Sequence, residues 1–305
     1  MHPMHNALSI AMLGWKAQET TAHTLETYAQ SRLYDNAAEF FIYFNQYTEQ
    51  DKAMADRFGV RSLGTSENLG IWGGMDAEAA HAKGDYILFL QDDHPVVVSP
   101  EETAHWINAS LDFLKADRAD IVLLWHRFDR GDHSGFVSHF KYNFIHDLDP
   151  RAEGGVVAQN FPPDWNRDTL LRKLRRTLRP GAWLRHSAGV PYVEREPEKV
   201  FPKYIRRDGE FIVIDSAIHP FSETPYLISK RFYNELSAWG KAHPSSRGIL
   251  GLPVLEYTLN CRWWRQQHFR LAVCDTGVFS HCRIDDSWRK EHQAFNPEMV
   301  RLGRV

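Results

Sequence analysis

Residues 68–98 read NLGIWGGMDAEAAHAKGDYILFLQDDHPVVV, and this stretch decides the fold. A glycine-rich, turn-prone start leads into a helix of small residues predicted over 75–83, and Gly84 is expected to end that helix. The five residues 86–90 form a continuous apolar run, which is typical of a strand buried on both faces. The stretch therefore predicts a helix followed by a central strand of an α/β sheet.

Polar residues follow directly on that strand. Gln91, Asp92, Asp93 and His94 stand at its carboxyl end. Open α/β sheets bind their ligands at the carboxyl ends of strands, and oxygen-rich clusters suit Mg²⁺ or Mn²⁺. Asp92 and Asp93 taken alone also fit a solvated turn, whereas the whole stretch favours a role in ligand or metal binding.

The pattern elsewhere in the chain extends the sheet. Strands are predicted over 8–13, 40–44, 60–63, 121–125 and 211–215, and helices over 21–33, 51–57, 99–115 and 230–239. Residues 242–251 are expected to form a loop. Because strand and helix alternate over the first 95 residues, the sheet is predicted to be mostly parallel.

The central stretch resembles the GT-A glycosyltransferases, especially those of glycosyltransferase family 2. The residues that carry the resemblance are Asn68, Gly70, Ala82, Gly84, Asp85, Tyr86, Leu90, Asp92 and Asp93. Gln91 departs from the family pattern, which usually has an acid there, and residues 13–15 replace the usual Pro-Thr-Tyr. The resemblance covers about 7–127 and 219–281. It implies a GT-A fold, Rossmann-like, with a mostly parallel central sheet flanked by helices and an inserted helical or irregular segment.

The resemblance also implies which residues form the site. The nucleotide sugar would lie against Leu13, Gly14, Asn45, Asn68, Gln91, Asp92 and Arg283, and Mn²⁺ or Mg²⁺ would be held by Asp93 and His281. Residues 219–228 would form a polar turn and strand near the acceptor, unless they are an ordinary loop and strand.

Glu256 falls at the acidic position that the family has at a helix start, with Tyr257 in place of the usual Asp. The resemblance makes Glu256 the candidate base that takes the proton of the acceptor hydroxyl. The simpler interpretations are that Glu256 is a helix-terminal charge and that His281 contacts backbone at a strand end.

We interpret the chain as one GT-A domain over 1–305. Its parts are a nucleotide-sugar-binding half (1–130), an insertion (131–210), an acceptor and catalytic half (211–285) and a C-terminal tail (286–305). Inside the insertion, 167–185 predicts a basic amphipathic helix, and its cluster Arg172–Arg179 fits a solvated face or a contact with an anionic membrane surface or acidic acceptor. Nucleic-acid binding would need aromatic side chains between the charges.

Composition limits the remaining choices. The 305 residues are 43% hydrophobic, enough for a packed core, and the net charge of −3 gives no field for nucleic acid. Cys261, Cys274 and Cys282 match no disulfide framework or standard zinc site and favour a reducing cytoplasm, with the inner membrane face as a further location. No secretory signal is expected.

The resemblance implies a metal-dependent glycosyltransferase, and the sequence specifies neither its donor sugar nor its acceptor. It would transfer a sugar, with inversion, from a UDP- or GDP-sugar to a hydroxyl of a glycan or lipid-linked acceptor. Gln91, Tyr257 and the unusual loop after the first strand keep open a catalytically inactive GT-A-like nucleotide-binding module. A nucleotidylyltransferase is the other alternative, and it would need a basic, glycine-rich loop that residues 13–16 do not provide.

Overall fold

The computed structural model describes residues 7–127 and 196–284, together with Leu170, Leu174 and Leu178. The strands are β1 (Leu8–Gly14), β2 (Glu39–Asn45), β3 (Arg61–Thr65), β4 (Tyr86–Gln91), β5 (Ile121–Leu123), β6 (Ile205–Asp208), β7 (Phe211–Asp215), β8 (Tyr226–Ser229), β9 (Gly248–Ile249), β10 (Leu252–Pro253) and β11 (Arg270–Cys274). The helices are α1 (Gln18–Gln30), α2 (Glu49–Arg57), α3 (Gly70–His81), α4 (Pro100–Lys115), α5 (Pro197–Val200), α6 (Lys230–Ala242), α7 (Leu255–Leu259) and α8 (Arg262–Gln267).

Nine of these strands form one sheet in the order β3-β2-β1-β4-β8-β5-β11-β7-β6. The strands β1 to β4 are parallel, β8 is antiparallel between β4 and β5, and β7 is antiparallel between β11 and β6. Strands β7 and β8 therefore run opposite to the other strands of the sheet. The prediction of a mostly parallel central sheet flanked by helices is confirmed.

Burial explains why β1 and β4 lie at the centre. All seven residues of β1 are buried, and 87–90 of β4 are buried as well, as a strand covered on both faces requires. Helix α4 begins where the sequence predicts, because the Ser99 hydroxyl accepts the Glu102 N–H while the Glu102 carboxylate accepts the Ser99 N–H. Parallel pairing of β1 with β4, with Leu13 opposite Gln91, places the carboxyl ends of these strands side by side.

Helix α3 differs from its predicted range. It begins at Gly70 and ends at His81, so Gly74 lies inside the helix and Gly84 does not cap it. Both glycines are explained by close approach: a Cβ on Gly74 would overlap the Leu13 side chain, and one on Gly84 would lie 2.6 Å from the Ala7 carbonyl oxygen. The helix therefore packs directly beneath the end of β1.

Two other stretches are more regular than predicted. Strand β6 adds an edge to the main sheet, although the sequence assigns it to the insertion. The expected loop 242–251 contains the start of the β9–β10 hairpin, which is closed by backbone pairing of Ile249 with Leu252. In the described part of the chain, no helix has the length and apolar character that crossing a bilayer requires.

A buried acid on α3 leads to a prediction about stability. Glu78 is fully buried, and neither carboxylate oxygen has a hydrogen-bond partner among the described residues. Burial raises the pKa of Glu78 well above its ordinary value. At a pH between the ordinary pKa of the unfolded state and the raised pKa of the folded state, Glu78 keeps a proton in the folded state that the unfolded state has released. The free energy of unfolding therefore falls as pH rises through this interval.

We expect Glu78→Gln to flatten this part of the dependence of stability on pH. Glu78→Met also removes both unpartnered oxygens and should raise the free energy of unfolding at neutral pH by about 1–3 kcal/mol. Urea unfolding at a series of pH values measures both effects. Parallel stability curves for the wild type and Glu78→Gln would show that Glu78 does not titrate differently in the two states.

Candidate functional site

A cleft with a volume of about 170 Å³ opens at the carboxyl ends of β1, β2 and β4. Eight of the ten predicted site residues line it: Leu13, Gly14, Asn45, Asn68, Gln91, Asp92, Asp93 and Arg283. The opposite wall is apolar and comes from the β9–β10 hairpin and the residue that follows it: Ile249, Leu250, Leu252, Pro253 and Val254. The cleft therefore offers a polar wall and an apolar wall to one ligand.

Asp92 fixes the loop after β1. Its Oδ2 accepts the Trp15 backbone N–H at 3.0 Å, and its own N–H donates to the Leu13 carbonyl at 3.0 Å. The Thr24 hydroxyl donates to the Asp92 carbonyl at 2.6 Å. Asp92 thus ties β1, α1 and β4 together at the floor of the cleft, which is a positioning role that its place in the sequence does not reveal.

Asp93 is a buried acid of the cleft with cationic side chains around it. It is 5% exposed, and His281 Nε2 lies 3.2 Å from its Oδ2. Its Oδ1 accepts no hydrogen bond within the described part of the chain and lies 3.7 Å from His94 Nε2. Burial raises the pKa of Asp93, but the hydrogen bond with His281 and the charges of His94, His281 and Arg283 outweigh it, so the pKa lies below its ordinary value.

His281 and Arg283 approach the two aspartates from the strand-end segment after β11. A backbone hydrogen bond of 2.9 Å from Cys282 to the Asp93 carbonyl holds this segment against β4. Arg283 Nη2 lies 3.6 Å from Asp93 Oδ2 and 3.7 Å from Asp92 Oδ1. The structure therefore brings the two candidate metal ligands, Asp93 and His281, next to each other, and their role as ligands stays a prediction.

The side chains also have to fit the implied divalent ion. Within 7–127 and 196–284, no group of three or more His, Cys, Asp and Glu side chains is arranged to hold a metal. Mg²⁺ commonly takes one or two carboxylates and completes its shell with substrate phosphates and water. The buried Asp93 Oδ1, which accepts no hydrogen bond, together with the adjacent His281, fits a metal that is bound jointly with a diphosphate.

The two asparagines of the cleft shape its backbone. Asn45 donates to the Gly70 carbonyl at 3.1 Å and accepts the Leu69 N–H at 3.2 Å, while Asn68 accepts the Gly70 N–H at 2.8 Å. Both side chains therefore hold the turn that starts α3. The amide of Asn45, which was expected to bind the nucleotide, has its oxygen and nitrogen engaged with backbone.

Glu256 does not line the cleft but lies close to it. Gln91 connects the two, because its side-chain amide donates to the Glu223 carbonyl at 2.9 Å. The Glu256 carboxylate accepts the Glu223 N–H at 3.4 Å, and the Glu223 carboxylate accepts the Glu256 N–H at 3.2 Å. The two partly buried acids thus form one site next to the polar wall.

Sequence reasoning missed Glu223. The segment 219–228 was expected near the acceptor, but no role was given to its acid. Glu223 and Glu256 are 33 positions apart, so no local pattern indicates that they are neighbours. The available signal was the presence of an acid in that segment together with the acid predicted as base.

Comparisons with known proteins found similar chains among solved structures. No protein-family model matches the chain, and no curated protein matches its sequence. Among solved structures, TarS 1–349 from S. aureus is 10% identical, with 90% of this chain and 60% of that chain covered and a TM-score of 0.46. This chain therefore spans about three fifths of the TarS 1–349 chain.

Two further matching structures contain bound ligands. Glucosyl-3-phosphoglycerate synthase from Mycobacterium tuberculosis, in complex with Mn²⁺, UDP and glucosyl-3-phosphoglycerate, is 13% identical, with 98% and 81% coverage and a TM-score of 0.43. CMP:2-keto-3-deoxy-manno-octonic acid synthetase, complexed with CTP, is 10% identical, with 39% and 52% coverage and a TM-score of 0.31. No function is taken from these matches, and the function is inferred from the side chains of this chain.

The apolar wall gives a prediction of its own. The central residues of the β9–β10 turn, Leu250 and Gly251, have φ angles of 52° and 78°. Asn is favoured over Leu in such a left-handed position, which costs an ordinary residue about 1–2 kcal/mol. Leu250 is 38% exposed and lines the cleft, so its side chain is available to a ligand at a cost in backbone strain.

We expect Leu250→Asn to raise the free energy of unfolding by about 1 kcal/mol and to weaken ligand binding in the cleft. The two effects have opposite signs because the substitution relieves the backbone and removes an apolar contact. Urea unfolding and calorimetry with UDP and GDP, each with Mn²⁺, measure them. Unchanged affinity for the nucleotides would show that Leu250 does not contribute to ligand binding.

Proposed function

We propose that this protein transfers a sugar from a nucleotide-diphosphate sugar to an acceptor hydroxyl. The observation that carries the proposal is Asp93, a buried carboxylate that faces His281 at the carboxyl end of β4 and has an oxygen that accepts no hydrogen bond from a described residue. The resemblance of residues 68–93 to the GT-A glycosyltransferases supports it. The UDP- or GDP-sugar would occupy the cleft between the polar and apolar walls.

Asp93 and His281 are the residues that would hold Mn²⁺ or Mg²⁺, with diphosphate oxygens completing the shell. The bound ion supplies Lewis-acid neutralisation of the charge on the leaving diphosphate. Arg283, which lies beside both aspartates, adds a second positive charge at the same place. Asp92 keeps the loop after β1 in position for the nucleotide.

Transfer with inversion requires a base on the acceptor side. The acceptor oxygen attacks the anomeric carbon opposite the leaving group, and Glu256 takes the hydroxyl proton. Its hydrogen bond with Glu223, whose carbonyl accepts the side-chain amide of the cleft residue Gln91, supports this role. The acceptor is proposed to be a hydroxyl of a glycan or a lipid-linked molecule.

Thermal shift with UDP- and GDP-sugars, with and without Mn²⁺, tests donor binding, because a ligand of the folded state raises the midpoint of unfolding. Donors that stabilise the protein are then incubated with Mn²⁺, and release of the nucleoside diphosphate is followed. Slow hydrolysis or transfer is the expected result. Binding without turnover would indicate the inactive nucleotide-binding module, and pyrophosphate release from CTP would indicate a nucleotidylyltransferase.

A membrane contact through Arg172–Arg179 is a further part of the proposal. These arginines lie outside the described residues, whereas the leucines at 170, 174 and 178 are helical and exposed. Basic residues beside exposed leucines suit an anionic membrane surface. Flotation with phosphatidylserine vesicles should be strong at low salt and lost when the arginines are changed to Gln; unchanged flotation would remove the contact.

A further inference from the structure

Two acids outside the candidate metal site lie next to each other. Glu223 precedes β8 and Glu256 lies in the first turn of α7. Each carboxylate accepts a hydrogen bond from the backbone N–H of the other residue, at 3.2 and 3.4 Å. This reciprocal arrangement fixes two carboxyl groups next to each other in a partly buried position.

Two carboxyl groups in such a position do not ionise independently. Burial and the neighbouring charge of Glu256 raise the pKa of Glu223 to about 8. Burial also raises the pKa of Glu256 above its ordinary value, against the opposing effect of the backbone hydrogen bond at Glu223. At neutral pH the pair therefore keeps a proton, and Glu223 is the member that holds it.

Within the described part of the chain, the side-chain charge that shifts the pKa of Glu223 comes from Glu256, and the shift at Glu256 comes from burial and the hydrogen bond at Glu223. The neighbouring ionisable side chains include Tyr226 on β8 and Tyr257 on α7, and the charge of Arg247 acts on Tyr257. On the cleft side, Gln91 donates to the Glu223 carbonyl at 2.9 Å. The proton that the pair keeps thus lies one residue away from the cleft.

We propose that Glu223 is the proton-holding partner of Glu256: it keeps one proton in the resting protein and so leaves Glu256 ionised to receive the proton of the acceptor. The inference rests on the proposed function. Glu223 acts through Glu256 and is a positioning residue for the reaction.

The transfer step then balances without another reactant. The acceptor hydroxyl gives its proton to Glu256, and its oxygen forms a bond to the anomeric carbon. The bond from that carbon to the diphosphate oxygen breaks, and its electron pair leaves with the diphosphate. The pair then holds two protons, and Glu256 returns one to water when the product leaves.

Carbon-13 NMR of protein labelled at the Glu carboxyl carbons tests the pairing without donor or acceptor. In the wild type, the two acids should titrate in separate steps, with the upper step lost in Glu223→Gln. In Glu256→Gln, the midpoint of Glu223 should fall by about one pH unit or more, because the neighbouring charge is gone. An unchanged midpoint would overturn the pairing; Glu235→Gln, an exposed acid on α6, is the matched control.

Activity provides the second measurement. Glu223→Gln resembles the protonated acid and keeps the oxygen that accepts the Glu256 N–H, so it should lower kcat at neutral pH less than Glu223→Ala does. Glu223→Ala should lower kcat about tenfold or more, and Glu223→Gln should lose the change in rate that the wild type shows above about pH 8. Circular dichroism checks that both variants are folded.

The failures of the two proposals can be told apart. Coupled titration without transfer from any donor would overturn the proposed function and the catalytic use of the pair. Transfer with uncoupled titration would overturn the pairing alone. Equal loss of activity in Glu223→Gln and Glu223→Ala would also contradict the role of a held proton.

Discussion

Asp93→Asn should abolish the contribution of Mn²⁺ to nucleoside diphosphate binding and lower the affinity at least about a hundredfold, because a substitution of a direct ligand exceeds the 10–100-fold loss typical of its supporting residues. Asn keeps the size of the side chain, which matters because Asp93 is buried rather than solvent-facing as its place at a strand end suggests. The change removes the negative charge that faces His281 and Arg283.

Calorimetry with UDP and GDP, each with and without Mn²⁺, measures this result. Asp56→Asn on α2 is a matched control, because Asp56 forms an exposed ion pair with Lys52 and does not line the cleft. Circular dichroism shows whether Asp93→Asn is folded. Undiminished affinity that still depends on Mn²⁺ would remove Asp93 from the metal site.

The hydrophobic patterns of single elements, together with the alternation of strand and helix, were sufficient to predict the fold class. The apolar run 86–90 and the strand Phe211–Asp215 are both found where periodicity places them, since burial on two faces leaves a continuous hydrophobic signature. The glycines of α3 were misread as a turn because glycine has two uses. Close approach to Leu13 depends on how layers pack, which a single segment does not encode.

The same distinction between local sequence patterns and long-range contacts applies to the candidate site. Residues at the carboxyl ends of parallel strands meet at one edge of the sheet, so Asp92 and Asp93 could be expected beside Asn45 and Leu13. The detailed roles depend on contacts between distant segments. Asn45 is engaged by the backbone of the turn before α3, and Asp92 by the loop after β1.

Glu256→Gln should lower kcat for transfer by about 10²–10⁴-fold, the range for loss of a general acid or base. Gln keeps the shape of the side chain and the oxygen that accepts the Glu223 N–H, but it does not take up a proton. Donor affinity should hardly change, because Glu256 does not line the cleft. Transfer rate and donor affinity are measured separately, by product formation at saturating donor and by calorimetry.

Stability measurements distinguish a catalytic base at Glu256 from a helix-terminal charge. Because burial raises the pKa of Glu256, its ionisation opposes folding, and the free energy of unfolding decreases as pH rises from the ordinary pKa through the raised one. Glu256→Gln should therefore raise the unfolding midpoint at neutral pH. A helix-terminal charge would instead be lost at a cost of about 0.3–1 kcal/mol, with normal turnover. Glu49→Gln, at an exposed first-turn acid of α2, is the control for that effect, and a Glu256→Gln variant with wild-type turnover would end the assignment of the base.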